Sequence, residues 1–205
     1  FYAEAGYDFE RAIVPAYTLV RVRHIGKLTG GVKFILNKNF LLQIDLRENI
    51  YDKKFSPFSP ALSFRYYRRF TSSDYYVFRA TASRNFRFPT LNDLYWVPGG
   101  NPNLKAEKSW DGEAGIQYWH QAYFMFKATG FCKYVDDWIQ WIPTGSYWSP
   151  QNVKRVLSRG VETSIRSELP EELLGKNFSI SFALNYTYTK ATNLEAVSSA
   201  DESKG

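Results

Sequence analysis

The chain has 205 residues, of which 18% are aromatic and 22% are charged, and its formal net charge is +6 at pH 7. It contains no run of 18 apolar residues, which excludes a helix that crosses a membrane. Cys132 is the single cysteine and the two histidines are isolated in sequence, so the composition predicts neither an intrachain disulfide nor a metal site.

Alternation of apolar and polar residues with a period of two predicts β-strands along most of the chain. The clearest case is residues 178–189, where the even positions are aromatic or aliphatic and the odd positions are Ser, Ala, Asn or Thr. The other predicted strands, in chain order, are residues 1–9, 16–23, 27–36, 41–47, 61–69, 75–86, 110–119, 123–134, 138–142 and 160–169. Several are as long as the roughly nine to eleven residues of a tilted strand that crosses a bilayer, whereas soluble strands average about five or six.

Short and long connections alternate between these strands. Short polar turns are predicted at residues 37–39, 71–74, 120–122 and 170–176. Longer irregular loops are predicted at residues 50–60, 87–109 and 143–152 and in the tail after Lys190. Because transmembrane barrels have short turns at one rim and long loops at the other, the fold prediction is all-β: an antiparallel up-and-down meander that is part of a transmembrane β-barrel.

The two faces of the predicted sheet differ in chemistry. We expect one face to carry Phe182, near the membrane midplane, together with Leu42, Ile44, Leu62, Phe64, Phe78, Phe178, Ile180, Leu184 and Tyr186. We expect the other to carry Gln43, Arg65, Arg79 and Asn185. Aromatic residues near the strand ends are expected to form a girdle at the membrane interface; they are Tyr95, Trp96, Trp119, Trp138 and Trp141.

The most specific stretch is residues 84–118, RNFRFPTLNDLYWVPGGNPNLKAEKSWDGEAGIQY. Taken alone, it predicts a strand that ends at Phe86, a proline at position 89 that stops ladder pairing, and an exposed turn at residues 98–102. The stretch resembles the signature of TonB-dependent outer-membrane receptors, with Arg-Phe-Pro, then Leu-Asn-Asp-Leu-Tyr, and then Gly-Asn-Pro-Asn-Leu-Lys. Ala106 departs from the family pattern, which usually has proline there.

Two later segments resemble the same family in the same order. Residues 134–139 (YVDDWI) resemble the strand end where the family places Asp before apolar residues, and residues 152–162 begin with Asn and close on Gly-Val-Glu. Residues 178–189 match the aromatic strand that follows. The resemblance implies a barrel of about 22 strands with a plug domain and a terminal aromatic residue. We therefore expect residues 1–205 to be an interior section of such a barrel, without its plug domain and C-terminal strands, and with two open edges.

The resemblance also implies a function and partners. It implies an outer-membrane receptor of a Gram-negative bacterium for energy-coupled uptake of a scarce nutrient, either a vitamin B12-like corrinoid or a ferric siderophore. The implied partners are outer-membrane lipid, the nutrient, and an inner-membrane energy-coupling protein that acts through the plug. No cofactor is implied, and the scattered Lys and Arg residues argue against nucleic acid as a partner. The alternative from the residues alone is a soluble β-sheet module that binds carbohydrate or another ligand.

Candidate ligand-binding residues come from two loops that the predicted topology places at one rim. They are Tyr95, Trp96, Tyr147 and Trp148, large aromatic groups suited to pack on a flat or greasy ligand. Anchoring at the membrane interface is an equally good interpretation of the same residues. Neither acidic pair, at 136–137 or 171–172, converges on one substrate, because adjacent strand residues point to opposite faces. No nucleophile motif occurs either, so the sequence predicts no catalytic residue and no enzyme.

Overall fold

A computed structural model describes residues 1–52, 54–121, 123–169, 178 and 180–194. The described residues form one short helix, α1 (Leu91–Tyr95), and ten strands. The strands are β1 (Tyr2–Ala12), β2 (Arg21–Ile35), β3 (Phe40–Tyr51), β4 (Lys54–Phe55), β5 (Ser59–Arg69), β6 (Asp74–Arg87), β7 (Glu107–His120), β8 (Phe124–Thr144), β9 (Tyr147–Leu169) and β10 (Ile180–Asn193). Among these residues no helix has the length and apolarity needed to cross a membrane.

All ten strands belong to one antiparallel sheet, in which strands that follow each other along the chain also lie side by side. The order is β1-β2-β3-β5-β6-β7-β8-β9-β10, and the two-residue strand β4 pairs with β3. The prediction of an all-β antiparallel meander is confirmed. Strands β1 and β10 form the two edges, and the sheet does not close on itself within the described residues.

The prediction of two strands at residues 16–23 and 27–36 is wrong. Residues 21–35 form the single strand β2, and residues 13–20 form a loop that connects it to β1. Pro15 lies inside a turn that is closed by a hydrogen bond of 3.0 Å from the Tyr17 amide to the Val14 carbonyl. A proline cannot donate to a strand ladder, so the pairing of β1 with β2 stops before it.

The prediction of an irregular loop at residues 143–152 is also wrong. Strands β8 and β9 remain paired up to Thr144 and Tyr147, and the chain reverses at Gly145, which has a φ of 66°. Strand β8 pairs with β7 only as far as Asp136, so the last part of the β8–β9 hairpin projects beyond the neighbouring strand. The predicted loop at residues 87–109 is shorter than expected, because β7 begins at Glu107 and α1 forms inside the loop.

The ends of the sheet differ as the sequence predicts. One end, the turn rim, carries the short turns at 36–39 and 70–73, where the side-chain oxygens of Asn37 and Thr71 accept backbone hydrogen bonds. The other end, the loop rim, carries residues 13–20, 52–58, 88–106 and the tip of the β8–β9 hairpin. The predicted turn at residues 170–176 lies outside the described residues.

Strand register confirms the predicted division into two faces, because cross-strand partners share a face. One row of partners, on what we call the apolar face, is Phe34, Leu42, Phe64, Ala80, Ala114, Gly130, Val161 and Tyr188. The adjacent row, on the polar face, is Leu41, Arg65, Arg79, Gly115, Thr129, Glu162 and Thr187. Phe182 alternates with Thr187 along β10, so it lies on the face opposite Arg79, as predicted.

The expected midplane position of Phe182 is wrong. Phe182 pairs with Ser167, and this row continues through Phe124 and His120 to Asp74 at the turn rim. A row nearer the middle of the strands contains Phe78, Ile116, Ala128, Thr163 and Tyr186. Alternation in the sequence predicts the face of a side chain, whereas its depth depends on the register with the neighbouring strands.

The girdle prediction is wrong for two of its tryptophans. The Trp119 ring stacks on Tyr75 with centroids 5.9 Å apart, and both residues lie on the polar face. The Trp141 indole N–H donates to Asp93 Oδ1 at 2.9 Å, inside the loop rim. Trp138 does lie on the apolar face and is 37% exposed. Aromatic residues of this face near the turn rim include Tyr76, Tyr118, Phe124, Phe126 and Phe182.

Candidate ligand-binding rim

The signature loop, residues 88–106, is organised by the short helix α1. A five-residue helix has little stability of its own, and here a capping box supports it. Thr90 Oγ1 accepts a hydrogen bond of 3.1 Å from the Asp93 amide, and Asp93 Oδ2 accepts one of 2.8 Å from the Thr90 amide. The Thr-Leu-Asn-Asp part of the signature therefore folds the loop.

Asp93 is the point where the helix meets the rest of the rim. Its side chain is only 6% exposed, and its Oδ1 accepts from the Trp141 indole of β8. Its backbone carbonyl accepts from the Asn101 amide at 2.7 Å, near the end of the loop. A buried carboxylate is stabilised when its oxygens accept several hydrogen bonds, so the position of Asp93 is determined by three separate segments.

On one side the signature loop contacts β2 and the loop that precedes it. The Arg23 guanidinium donates to the Pro89 carbonyl at 2.9 Å, and the Val97 amide donates to the Ala16 carbonyl at 2.9 Å. The Tyr17 hydroxyl donates to the Asn92 side chain. Burial raises the pKa of the Tyr17 phenol, and the nearby charge of Asp93 raises it further. The phenol therefore stays protonated at neutral pH and remains a donor.

On the other side the loop contacts the β8–β9 hairpin through amide groups. The Asn101 side chain donates to the Pro150 carbonyl at 3.1 Å. The Asn152 side chain accepts from the Lys105 amide at 2.8 Å and donates to the carbonyls of Lys105 and Asp137 at 3.1 and 2.7 Å. Both asparagines belong to the segments that resemble the receptor family, and both hold the loop against the hairpin.

Gly99 makes the closest approach between the loop and the hairpin. Its φ is +121°, and a Cβ at this position would lie 2.1 Å from the carbonyl oxygen of Trp148. Its own carbonyl accepts a hydrogen bond of 2.8 Å from the Ser149 hydroxyl. Only glycine combines this backbone conformation with such a short separation.

Below the loop, Glu107 connects three strands. The guanidinium of Arg87 on β6 binds its two carboxylate oxygens, with both N–O distances at 2.6 Å. The amide of Ile139 on β8 donates to Glu107 Oε1 at 2.7 Å. The Glu107 residue is 7% exposed. This bidentate pair is the strong form of a charge-assisted hydrogen bond, and it closes the base of the signature loop.

The four aromatic residues predicted to contact ligand all lie at the loop rim. Tyr95 ends α1 under the guanidinium of Arg21, which is 3.9 Å from the ring centroid. Trp96 follows it and is 40% exposed, whereas Tyr147 and Trp148 begin β9 and are 41% and 58% exposed. Tyr147 and Trp148 are consecutive in a strand, so their side chains leave opposite faces of the hairpin. One ligand surface can therefore include only one of these two side chains together with Trp96.

A cavity of about 570 Å³ with polar and apolar walls lies beside the signature loop, between the loop and the ends of β1, β2 and β3. Its lining includes Glu10, Arg23, Asn49, Tyr51, Arg87 and Asn92. Sequence reasoning did not single out this cavity, because its walls come from distant parts of the chain. Within the described residues no group of three or more His, Cys, Asp or Glu side chains is arranged to hold a metal ion.

Residues 25–204 match the model of the family described as TonB dependent receptor-like, beta-barrel. The chain belongs to this family. The match covers most of the chain, and it includes the signature loop and the hairpin to which the loop is bonded. The resemblance inferred from residues 84–118, 134–139 and 152–162 is confirmed.

Relatives and solved structures agree with this assignment. The chain is 38% identical over 92 residues to vitamin B12 transporter BtuB of Vibrio vulnificus, a match covering 44% of this chain and 15% of the relative. It is also 38% identical over 88 residues to BtuB of Photobacterium profundum, covering 40% and 14%. The chain thus corresponds to a small part of the length of these receptors.

Among solved structures, the siderophore receptor PirA from Pseudomonas aeruginosa has a TM-score of 0.72 at 21% identity, covering 91% of this chain and 36% of the receptor. Copper transporter OprC has a TM-score of 0.63 at 17% identity, covering 84% and 30%. At these identities the likeness concerns the fold, and it shows that the open meander is similar to part of a receptor barrel.

Proposed function

We propose that the intact receptor lies in the outer membrane of a Gram-negative bacterium and takes up a vitamin B12-like corrinoid by energy-coupled transport. The observation that carries this proposal is the family match over residues 25–204, joined with 38% identity to two vitamin B12 transporters. A ferric siderophore is the second candidate nutrient, because the structural neighbours include siderophore receptors.

The distribution of residues on the sheet supports a membrane setting. The apolar face exposes large side chains, including Leu62 at 47%, Phe78 at 41% and Tyr186 at 59%. A soluble domain rarely exposes a contiguous apolar surface of this extent, so the soluble carbohydrate-binding alternative is not favoured. In a barrel this face contacts lipid, and the polar face, with Arg65, Arg79 and Glu162, is directed to the interior.

The remaining partners are proposed from membership of the family. Residues 1–205 form an interior section of the barrel in this proposal, and further strands continue it at both edges. An inner-membrane energy-coupling protein acts on the receptor through a plug domain, and the nutrient binds from outside at the loop rim. Transport of this kind requires binding and movement, so the proposal assigns no catalytic residue.

The proposed nutrient contacts at the loop rim are Tyr95 and Trp96 together with one of Tyr147 and Trp148, and we assign Trp148, the more exposed of the two. In cells that express the intact receptor, Trp96→Ala and Trp148→Ala are each expected to raise the nutrient concentration for half-maximal uptake about tenfold, the effect of losing a buried aromatic anchor. Uptake of labelled cobalamin and of a labelled ferric siderophore measures the effect and identifies the nutrient.

Trp110→Ala is the matched control, because Trp110 is 57% exposed on the apolar face, within the paired part of β7 and outside the signature loop. Its uptake affinity should equal that of the wild type. If both rim variants keep the wild-type affinity at normal surface expression, the binding assignment is wrong. These side chains then anchor the rim at the membrane interface. Uptake of neither compound by the wild-type receptor would contradict the proposed nutrient classes.

A further inference from the structure

The apolar face carries two adjacent cations that have no counter-ion among the described residues. Arg159 on β9 and Lys190 on β10 are direct cross-strand partners, and both are exposed. Neither forms an ion pair with any residue that the structure describes. Like charges directly opposite each other destabilise a sheet. The pair therefore calls for an anion that the described part of the chain does not supply.

The surroundings of the pair are apolar. The same cross-strand row continues through Cys132, Gly112, Ala82, Leu62, Ile44 and Val32, all uncharged. The adjacent row toward the turn rim contains Tyr188 and Val161. Among the described strands, this row is therefore charged only on β9 and β10. There, Arg159 and Lys190 extend the charged region of the loop rim into the apolar band. An unpaired cation against hydrocarbon is costly, which makes this placement informative.

A groove of about 830 Å³ opens next to the pair. Gly112, Ala114, Gly130, Val161, Tyr188 and the two cations are among the residues that line it. The lining also includes Glu113, whose position on β7 belongs to the polar face. A Cβ built on Gly112 or Gly130 would have no atom within 4 Å, so the groove is open toward the apolar face. Its walls suit a hydrocarbon chain, and its cationic side suits a phosphate.

We propose that Arg159, Lys190 and this groove bind one anionic lipid. The lipid phosphate lies against the two cations, where the planar guanidinium of Arg159 suits bidentate contact with phosphate oxygens. An acyl chain of the same lipid runs over Gly112 and Gly130. One ligand thereby neutralises the like-charge pair and fills the groove. The inference rests on the proposed membrane location, because only then does the apolar face meet lipid.

The test uses the intact receptor, purified in an uncharged detergent, with lipid binding followed by native mass spectrometry. Phosphatidylglycerol is expected to bind the wild type, and phosphatidylcholine to bind more weakly. Arg159→Gln with Lys190→Gln should weaken phosphatidylglycerol binding about twenty-five-fold, since each basic residue contributes about fivefold. Gly130→Leu, whose Cβ would have no atom within 4 Å, places a side chain in the groove and should weaken the binding of both lipids.

The matched control is Lys127→Gln with Arg166→Gln, which removes one lysine and one arginine from β8 and β9 on the polar face. It should bind phosphatidylglycerol as the wild type does. Equal binding in the Arg159→Gln/Lys190→Gln variant and the wild type would overturn the proposal, as would equal affinity for the two lipids. Competition by inorganic phosphate as strong as by phosphatidylglycerol would also overturn it, because the site would then select a free anion.

Nutrient uptake by the same variants separates this inference from the proposed function. The Arg159→Gln/Lys190→Gln receptor should transport nutrient at the wild-type rate, since neither residue lies at the loop rim. A wild-type receptor that binds phosphatidylglycerol but takes up neither cobalamin nor ferric siderophore would contradict the proposed function and leave the lipid site intact.

Discussion

Replacing Phe78 with arginine in the intact receptor is expected to lower the free energy of unfolding by about 2–4 kcal/mol. Phe78 is 41% exposed on the apolar face, in a row of uncharged residues near the middle of the strands. Its ring stacks with Tyr66 at a centroid distance of 6.1 Å. The substitution places a charge in the hydrocarbon and also removes this aromatic contact.

Reversible unfolding by guanidinium in lipid vesicles measures the free energy of unfolding of the wild type and of Phe78→Arg. Two matched variants test whether the loss comes from placing a charge in the hydrocarbon. Phe182→Arg lies in the row that ends at Asp74 on the turn rim, so it should cost only about 0–1 kcal/mol, as charges near an interface do. Thr81→Arg faces the polar side and should also have a small effect. Equal costs for Phe78→Arg and Phe182→Arg would show that the assigned depths are wrong.

The faces of the sheet could be predicted from the sequence because they depend on a local property. Successive strand residues point to opposite sides, so Phe78 and Arg79 must separate whatever the neighbouring strands do. The depth of a side chain in the membrane depends on the register of its strand with the neighbouring strands. Local alternation in the sequence carries no information about that register. This is why the sequence placed Phe182 on the correct face and at the wrong level.

The end of the β8–β9 hairpin could not be predicted because its prolines indicate a loop. Pro143 and Pro150 nevertheless occupy paired strand positions, opposite Trp148 and Trp141. This part of the hairpin extends beyond β7, so β8 has only one strand neighbour there. Prolines are tolerated on edge strands, where the missing amide leaves no ladder bond unmade.

The signature loop was recognised from its residue pattern, but the roles of its acidic residues were not. Asp93 bonds to Trp141, 48 positions away in sequence, and Glu107 bonds to the Ile139 amide, 32 positions away. Such contacts depend on the hairpin folding back over the sheet. A useful signal was nevertheless present, since Asp93 and Glu107 are the only acidic residues between Arg87 and Ser109.

Removing the Glu107 carboxylate should therefore detach the base of the signature loop. Glu107→Ala leaves the Ile139 amide without its acceptor and the Arg87 guanidinium without its bidentate partner. Breaking a buried ion pair costs about 3–5 kcal/mol. The Arg87 side chain is 50% exposed and can be solvated by water, so we expect a loss nearer 2–3 kcal/mol.

Three further variants resolve the origin of that loss. Arg87→Ala should cost at least as much as Glu107→Ala, because it leaves the buried Glu107 carboxylate without its counter-charge. Glu107→Gln retains an acceptor oxygen for the Ile139 amide and should cost less than Glu107→Ala. Glu113→Ala, which removes an exposed carboxylate from the same strand, should change stability by less than about 0.5 kcal/mol. Guanidinium unfolding of the intact receptor gives all four values, and a Glu107→Ala protein as stable as Glu113→Ala would show that the carboxylate does not hold the loop to the sheet.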